Sequence, residues 1–242
     1  MKSKRIEYID LTNVISTFAV VFLHMNDCFW NFSKERYWVT ANVIESVFIF
    51  AVPVFFMISS VSLMNYQKKY DTKTYLKKRF AKTVVPFLFW TFIGLLFDIF
   101  FLHTVKVSDL TLKVLIDGFI NTHFVQIYWF FIPLFGIYLS IPLFASIEEG
   151  KRIELFKYLF ISGFIFNATI PFLTSAFHIN IAFPLSVNVV CGYAIFIVMG
   201  YLLHKMDFTT VQRCYIYILG IVCLLMHFCG TYYESYASGD VS

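Results

Sequence analysis

Charged residues are scarce in this sequence. They make up 14% of its 242 residues, while 59% of the chain is hydrophobic. Soluble domains are about 25% charged and about 45–50% apolar, so the shortage of charge excludes an ordinary soluble protein and indicates a membrane protein with several spans. The first apolar run lacks a small-residue cleavage site after it, and we interpret it as a retained span and not as a signal peptide.

Cysteine pairs of the kind that bind metals are also lacking. The chain has five cysteines, and none of them forms a C-x-x-C pair. Most lie in apolar runs, where a free thiol packs as a small hydrophobe. The sequence therefore argues against a bound metal and against a disulfide framework. We also expect no nucleic acid among the partners. No internal repeat, low-complexity tract or soluble domain is visible.

The apolar residues are gathered in seven runs. They cover roughly 11–30, 43–65, 84–102, 126–147, 156–175, 186–203 and 214–231. Runs of this length suit helices across a hydrocarbon core about 30 Å thick, whereas barrel strands are shorter and alternate in polarity. The predicted fold class is all-α, a polytopic transmembrane helix bundle with seven spans in this chain.

Loop charges predict the orientation of the bundle. Of the 19 basic residues, fifteen lie before the first run or in the segments 68–82, 151–157 and 205–213. The positive-inside rule places these segments and the N-terminus in the cytoplasm of a multi-pass plasma-membrane protein. Residues 1–242 are expected to form one transmembrane domain. Its odd span count and polar last residues predict a domain truncated at the C-terminus.

A histidine interrupts the first apolar run. His24 lies about 20 Å along a helix from the start of the run, on a stripe with Asn13 and Asp27, and Asp10 lies one turn before Asn13. Ionisable groups within a span are costly and usually mark a substrate path or a site of chemistry. His24 is therefore the first candidate for function, and Asp27 could orient the imidazole and favour its protonated form, as carboxylates do beside catalytic histidines. The alternative is that His24 only bonds to a neighbouring helix.

A strongly basic segment follows the second run. Residues 67–86 carry seven basic residues and one acid, Asp71. The segment can serve as a topology anchor that touches anionic lipid heads. It can also be a polyanion site that holds the phosphates of a nucleotide-like donor. Arg79 and Lys82 are three residues apart, just before Pro86, and are the better candidates for a ligand because they would point the same way on a helix.

Aromatic and isolated polar residues complete the candidate list. Tyr128 and Trp129 begin the fourth run, where an interfacial aromatic belt is the default interpretation and hydrogen bonds to a glycan are the alternative. Glu45 and Asp98 lie inside span ends and could join a polar core or reach the surface. His227 is flanked by apolar residues and has no assigned role.

In this order, the features resemble the integral-membrane acyltransferase 3 family over essentially the whole chain. The matching motifs are Tyr8-Ile-Asp10 … His24, Phe48 … Ser59-Ser60, Arg79 … Lys82 … Pro86, Tyr128-Trp129-Phe130 … Tyr138 … Pro142, and Gly192-Tyr193 … Gly200-Tyr201. The chain departs from the pattern at three positions: Asn13 stands for the usual Arg, Ser60 for Gly, and Lys82 for the second Arg of a pair. Family members usually have about ten spans.

The resemblance implies an O-acyltransferase of a bacterial cell envelope. It would transfer an acyl group, expected to be acetyl, from acyl-CoA in the cytoplasm to a hydroxyl of a cell-surface polysaccharide or other envelope glycan. Acyl-CoA would be a donor substrate, with no cofactor bound permanently, and membrane lipid a further partner; the oligomeric state is left open.

The resemblance also implies roles for single residues. Arg79 and Lys82 would hold the donor phosphates. His24 would be the catalytic residue, as the general base or as a transient acyl carrier, and Asp27 or Asp10 would tune it. Asn13, Tyr128 and Trp129 are the candidates for contact with the acceptor. Two rival functions stay open: a transporter or flippase for a glycan or its lipid carrier, and an inactive truncated relative that assembles with a partner enzyme.

Overall fold

The regular structure is helical throughout the described part of the chain. The computed structural model describes residues 6–182 and 185–241. Within these ranges the α-helices are α1 (Glu7–Met25), α2 (Arg36–Phe48), α3 (Ala51–Leu63), α4 (Thr72–Arg79), α5 (Val85–Phe97), α6 (Leu112–Ile120), α7 (Phe131–Ala145), α8 (Glu149–Phe164), α9 (Ile170–Ala176), α10 (Ala194–Lys205) and α11 (Thr210–Ser238).

Six helical stretches of the described residues are long and apolar enough to cross a membrane. They are Glu7–Met25, Arg36–Lys68, Thr72–Leu102, Gln126–Ala145, Glu149–Ala176 and Thr210–Ser238. An all-helical membrane fold is therefore confirmed. The predicted run at 186–203 overlaps a short 3-10 turn, Asn188–Val190, and α10. The 12 residues of α10 span about 18 Å and fall short of a core about 30 Å thick. A seventh span is not confirmed.

Wide π-helical turns join several of these helices. Phe80–Val84 connects α4 to α5, Asp98–Leu102 extends α5, and Ile165–Thr169 connects α8 to α9. Two of the turns come just before a proline, Pro86 in α5 and Pro171 in α9. Proline lacks an N–H group and leaves a carbonyl one turn earlier without its α-helical partner, which favours a local change of helix type.

The chain divides into two compact units. The first comprises Met1–Ile58 with Leu203–Ser242, and the second comprises Ser59–Leu202. The divisions fall within α3 and within α10. The first unit holds α1, α2 and α11, and the second holds α4 to α9.

The first unit is built around a buried tryptophan. Trp38 of α2 is fully buried, and its indole Nε1 donates to the Phe29 carbonyl at 2.9 Å. The rings of Phe29, Phe32 and Tyr236 pack around it, with centroid distances of 5.9, 4.8 and 6.2 Å. This cluster brings the end of α11 against the start of α2.

The second unit has a core of large aromatic side chains. Phe156 of α8 lies edge-on to Phe144 of α7 at 5.7 Å and to Tyr201 of α10 at 5.1 Å, and all three are buried. Gly163 allows α8 to pack closely against Val190. A side chain at position 163 would not fit there, because its Cβ would lie 2.6 Å from a methyl carbon of Val190. The Ser60 hydroxyl donates to the Ile197 carbonyl at 2.6 Å.

Candidate functional site

His24 lies in the last turn of α1. The helix ends at Met25, and the His24 side chain is exposed, with no hydrogen-bond partner within the described residues. Asp27 begins a separate 3-10 turn, Asp27–Trp30. The α-helical spacing from which Asp27 was expected on the His24 face is interrupted, because α1 ends at Met25. No ion pair between them is found in the described ranges, so the tuning role of Asp27 stays a prediction.

The other predicted residues of α1 lie nearer its start. Asn13 is half-buried and is about 16 Å from His24 along the helix axis. Asp10 is also half-buried. Near it, the Tyr8 hydroxyl and Nδ1 of His204 are 2.5 Å apart, and burial, reinforced by the charge of Lys205, lowers the pKa of His204. Asn13, Asp10 and His24 therefore lie on one helix, with His24 well separated from the other two.

A buried polar cluster lies beside the His24 end of α1. We define it as Asn26, Asn42, Glu45 and Ser46, which are all buried, together with half-buried His227. Its anchoring contacts run to backbone carbonyls: Nδ2 of Asn26 donates to Ala41 at 2.8 Å, and Nδ2 of Asn42 donates to Phe228 at 3.1 Å. Glu45 and His227 were singled out in the sequence as ionisable groups in apolar runs, whereas Asn26 carried no such signal.

Arg79 forms part of the wall of an apolar cavity. Its volume is about 440 Å³, and its lining residues are Leu76, Lys77, Arg79, Phe80, Val84, Phe135, Tyr138 and Leu139. The guanidinium carbon of Arg79 lies 5.7 Å from the centre of the Tyr138 ring. Nε of Arg79 is shielded from solvent and has no hydrogen-bond partner in the described part of the chain. The Tyr75 hydroxyl donates to the Tyr138 carbonyl at 3.0 Å and ties α4 to α7 beside this cavity.

Lys82 does not line the Arg79 cavity. It lies in the π-helical turn Phe80–Val84 and is exposed. A π turn takes more residues per revolution than an α turn, so a spacing of three residues no longer puts two side chains on the same side. The α-helical spacing that paired Lys82 with Arg79 therefore does not apply across this turn, and the role of Lys82 in donor binding stays a prediction. Lys77 is the lysine that lines the Arg79 cavity.

Arg152 is a buried arginine that the sequence treated only as a topology charge. It is 4% exposed and packs its guanidinium 5.5 Å from the centre of the Tyr201 ring. Its nitrogens donate to the carbonyls of Ala145 and Ile147 and to Oδ1 of Asn65, at distances from 2.7 to 3.2 Å. Arg152 thus caps the C-terminus of α7, where unpaired carbonyls attract a cation.

Tyr128 and Trp129 have different surroundings. Both lie in the 3-10 turn Gln126–Phe130 that leads into α7. Tyr128 is half-buried, with its ring 5.4 Å from Phe131 and 6.2 Å from Phe87. Trp129 is 44% exposed and lies 6.5 Å from the Tyr193 ring. Of the two predicted acceptor contacts, Trp129 has the more accessible ring.

The comparisons with known proteins point to one family. A family model described as an acyltransferase domain matches residues 6–241. No curated protein and no solved structure matches the chain. The match confirms the family that the ordered motifs of the sequence indicated. In the described residues no group of three or more His, Cys, Asp or Glu side chains could hold a metal ion.

Proposed function

The chain belongs to the acyltransferase 3 family, and from that premise we propose that it transfers an acyl group, with acetyl expected, from acyl-CoA to a hydroxyl of a cell-envelope glycan. The family supports a membrane acyltransferase. In the proposed reaction the acceptor oxygen forms a bond to the acyl carbon while the thioester C–S bond breaks. The hydroxyl proton passes to a base and then to the departing thiolate, so the products are an O-acyl glycan and free CoA.

The placement of Arg79 is the single observation that supports binding of the acyl-CoA donor. In the described residues no carboxylate pairs with its guanidinium, which packs on Tyr138 at the wall of the Arg79 cavity. A half-buried charge without a counter-ion favours an anionic ligand, and a guanidinium can bind a phosphate through two parallel hydrogen bonds. Lys77 adds a second cation to the same wall. Both features suit the phosphates of CoA, presented from the cytoplasm.

His24 is the proposed residue for the acceptor half. Its exposed imidazole can accept a proton from a hydroxyl, or carry the acyl group between donor and acceptor. We leave these two roles as alternatives. Asp27 and Asp10 are proposed to tune His24, and Asn13, Tyr128 and Trp129 to contact the glycan. The proposal places the protein in the plasma membrane with its N-terminus in the cytoplasm.

Thiol release is the direct test. The full chain in lipid vesicles would receive acetyl-CoA and a bacterial envelope polysaccharide fraction, and free CoA would be measured with a thiol reagent. Loss of a general base lowers rates by about 10²–10⁴-fold, so His24→Ala should fall at least 100-fold. His178→Ala, a change at another exposed histidine, is the matched control and should stay within twofold of wild type. Full activity of His24→Ala would refute the assignment.

Arg79→Ala tests the donor site separately. Loss of one or two charge-assisted hydrogen bonds, each about 1.5–3 kcal/mol, should raise KM for acetyl-CoA by at least about tenfold. Lys78→Ala is the matched control, because Lys78 is adjacent to Arg79 but lies over the Tyr70 ring and not in the cavity wall. Lys82→Ala measured alongside decides whether Lys82 belongs to the donor site. Equal KM values for Arg79→Ala and wild type would remove Arg79 from it.

The same vesicles distinguish the rival functions. A transporter or flippase would release no thiol but would move unmodified glycan or lipid carrier across the bilayer. An inactive relative would do neither. Thiol release that depends on both acetyl-CoA and glycan excludes both rivals.

A further inference from the structure

Part of the wall of the Arg79 cavity is apolar and open. Leu139 is 68% exposed and Phe80 is 56% exposed, although both residues line the cavity. They lie in the candidate spans Gln126–Ala145 and Thr72–Leu102, so we expect their exposed sides to meet lipid chains in a bilayer. Binding of the CoA phosphates makes no use of such a surface. The cavity is therefore a groove whose apolar side is available to a lipid.

The cations of the groove lie at the level of lipid headgroups. Val84 begins the apolar run of this span, and Arg79 precedes it by five residues, or about 7 Å along the helix axis. Lys77 lies two residues further out. The headgroup layer on each side of a bilayer is about 5–8 Å thick, because the whole bilayer is about 40–45 Å thick and its hydrocarbon core about 30 Å. Both cations are thus placed next to lipid phosphates, with the apolar residues of the groove beside the chains.

The groove can hold a phosphate and a hydrocarbon chain together. Its cations are Lys77 and Arg79, and none of its lining residues in the described part of the chain is acidic. Nε of Arg79 is shielded from solvent and has no hydrogen-bond partner within the described ranges, so this N–H is left for an anion. In a phospholipid only the glycerol unit separates the phosphate from the acyl chains. Basic pockets between membrane helices bind anionic lipid headgroups, and this groove has the same combination of features.

We propose that the Arg79 cavity binds an anionic phospholipid, which competes there with acyl-CoA. The competition, but not the lipid binding, rests on the proposed function. The lipid phosphate contacts Arg79 and Lys77, while one acyl chain lies against Phe80 and Leu139 at the membrane side of the groove. A bound lipid leaves the guanidinium unavailable to the CoA phosphates. Anionic lipid is therefore an inhibitor of donor binding that takes no part in the transfer reaction.

Lipid binding can be measured without activity. Native mass spectrometry of the full chain in detergent would count the lipids that stay bound when dioleoyl phosphatidylglycerol or dioleoyl phosphatidylcholine is added. One molecule of the anionic lipid should bind at a concentration at least about fivefold lower than the zwitterionic lipid requires. Equal binding of the two lipids would overturn the inference.

Arg79→Ala tests the charged end of the groove. It should weaken binding of phosphatidylglycerol about tenfold or more, because a charge-assisted hydrogen bond is lost. Lys78→Ala is the matched control, because Lys78 lies over the Tyr70 ring and outside the cavity wall, and it should bind the lipid within twofold of wild type. Equal binding by the two variants would overturn the inference.

Leu139→Trp tests the apolar side of the groove. The larger ring would fill the groove while leaving Arg79 in place, so phosphatidylglycerol should bind several-fold more weakly. Leu143→Trp is the matched control: Leu143 lies one turn later on α7, is 63% exposed and does not line the cavity, so its lipid binding should match wild type. Inorganic phosphate and glycerol 3-phosphate, which have no acyl chain, should not displace the lipid. Equal binding by the two tryptophan variants, or displacement by free phosphate, would show a phosphate site without a lipid groove and would overturn the inference.

The competition is tested by thiol release in vesicles. Replacing about half of the phosphatidylcholine by phosphatidylglycerol should raise KM for acetyl-CoA and leave kcat unchanged. A negative membrane surface also repels CoA from every variant, so the specific part of the effect is the difference from Leu139→Trp. The rise in KM should be several-fold larger in wild type than in Leu139→Trp, whereas Leu143→Trp should respond like wild type. An equal rise in wild type and Leu139→Trp would overturn the competition.

The two assays separate this inference from the proposed function. If no thiol is released but lipid binding depends on Arg79 and Leu139 as expected, the proposed function fails and the lipid site stands. If thiol release depends on Arg79 but lipid binding depends on neither residue, the proposed function stands and the inference fails.

Discussion

Replacing Arg152 by Leu should destabilise the second unit substantially. Arg152 is 4% exposed and donates to three acceptors, the Ala145 and Ile147 carbonyls and Oδ1 of Asn65. Leu fills much of the volume but supplies no donor, so those acceptors lose their partner. Each buried acceptor left unpaired costs about 1–3 kcal/mol, while removal of a buried cation recovers part of that because its desolvation penalty also disappears. The net loss expected is about 2–4 kcal/mol.

A thermal assay in detergent measures this loss. One kcal/mol shifts Tm by about 2–4 °C for a chain of this size, so Arg152→Leu should lower the midpoint of soluble, monodisperse protein by about 5–15 °C. Lys151→Ala is the matched control. Lys151 is 79% exposed in its ion pair with Glu148, and an exposed pair contributes about 0–1 kcal/mol. If the two variants melt within 1 °C of each other, Arg152 does not cap α7 as described.

Further changes test packing and the departure from the family pattern. Gly163→Ala should lower the free energy of unfolding by about 1–3 kcal/mol, because the new Cβ would lie 2.6 Å from a Val190 methyl carbon. Gly150→Ala is the control: its Cβ would meet open space, so the free energy of unfolding should stay unchanged or rise by up to about 1 kcal/mol. The same thermal assay compares the two variants. Trp38→Phe removes the indole hydrogen bond and should lower the melting point by the equivalent of about 0.5–1.5 kcal/mol. Asn13→Arg restores the charge that the family pattern has at this position, and it should raise the rate of thiol release if the loss of that charge limits activity. An unchanged rate would show that the loss of this charge does not limit activity.

The helical membrane fold could be predicted from the apolar runs because length and hydrophobicity are local properties. The residues at which each helix begins and ends could not be predicted in this way. The second run was predicted from residue 43, yet α2 begins at Arg36, and the third was predicted from 84, yet its helix begins at Thr72. Residues 72–83 are rich in lysine, and residues 36–42 include an arginine, a threonine and an asparagine, so neither segment carries a strong hydrophobic signal.

Single residues of the candidate site stand out in the sequence, but their neighbours do not. His24 and Arg79 were found as charged or ionisable groups in unusual surroundings, and that signal is visible in a sequence. Pairing them with neighbours required an unbroken α-helix, and this assumption failed twice. α1 ends between His24 and Asp27, and a π turn separates Arg79 from Lys82. The side chain of buried Asn26 donates to the Ala41 carbonyl, fifteen residues further along the chain, and no local sequence pattern reveals such a contact.

The π-helical turn Phe80–Val84 has a consequence for sequence length. A π-helical turn holds one residue more than the α turn it replaces, so the chain has one extra residue just before Pro86. Deleting a single residue there should close the wide turn to an α turn, with little rotation of α4 relative to α5. Deleting one residue from the regular α-helix that follows, within Val85–Phe97, should instead rotate α4 by about 100° relative to the rest of the span, so that Arg79 would face away from the cavity. The wide turn therefore tolerates a change of length that the neighbouring α-helix does not.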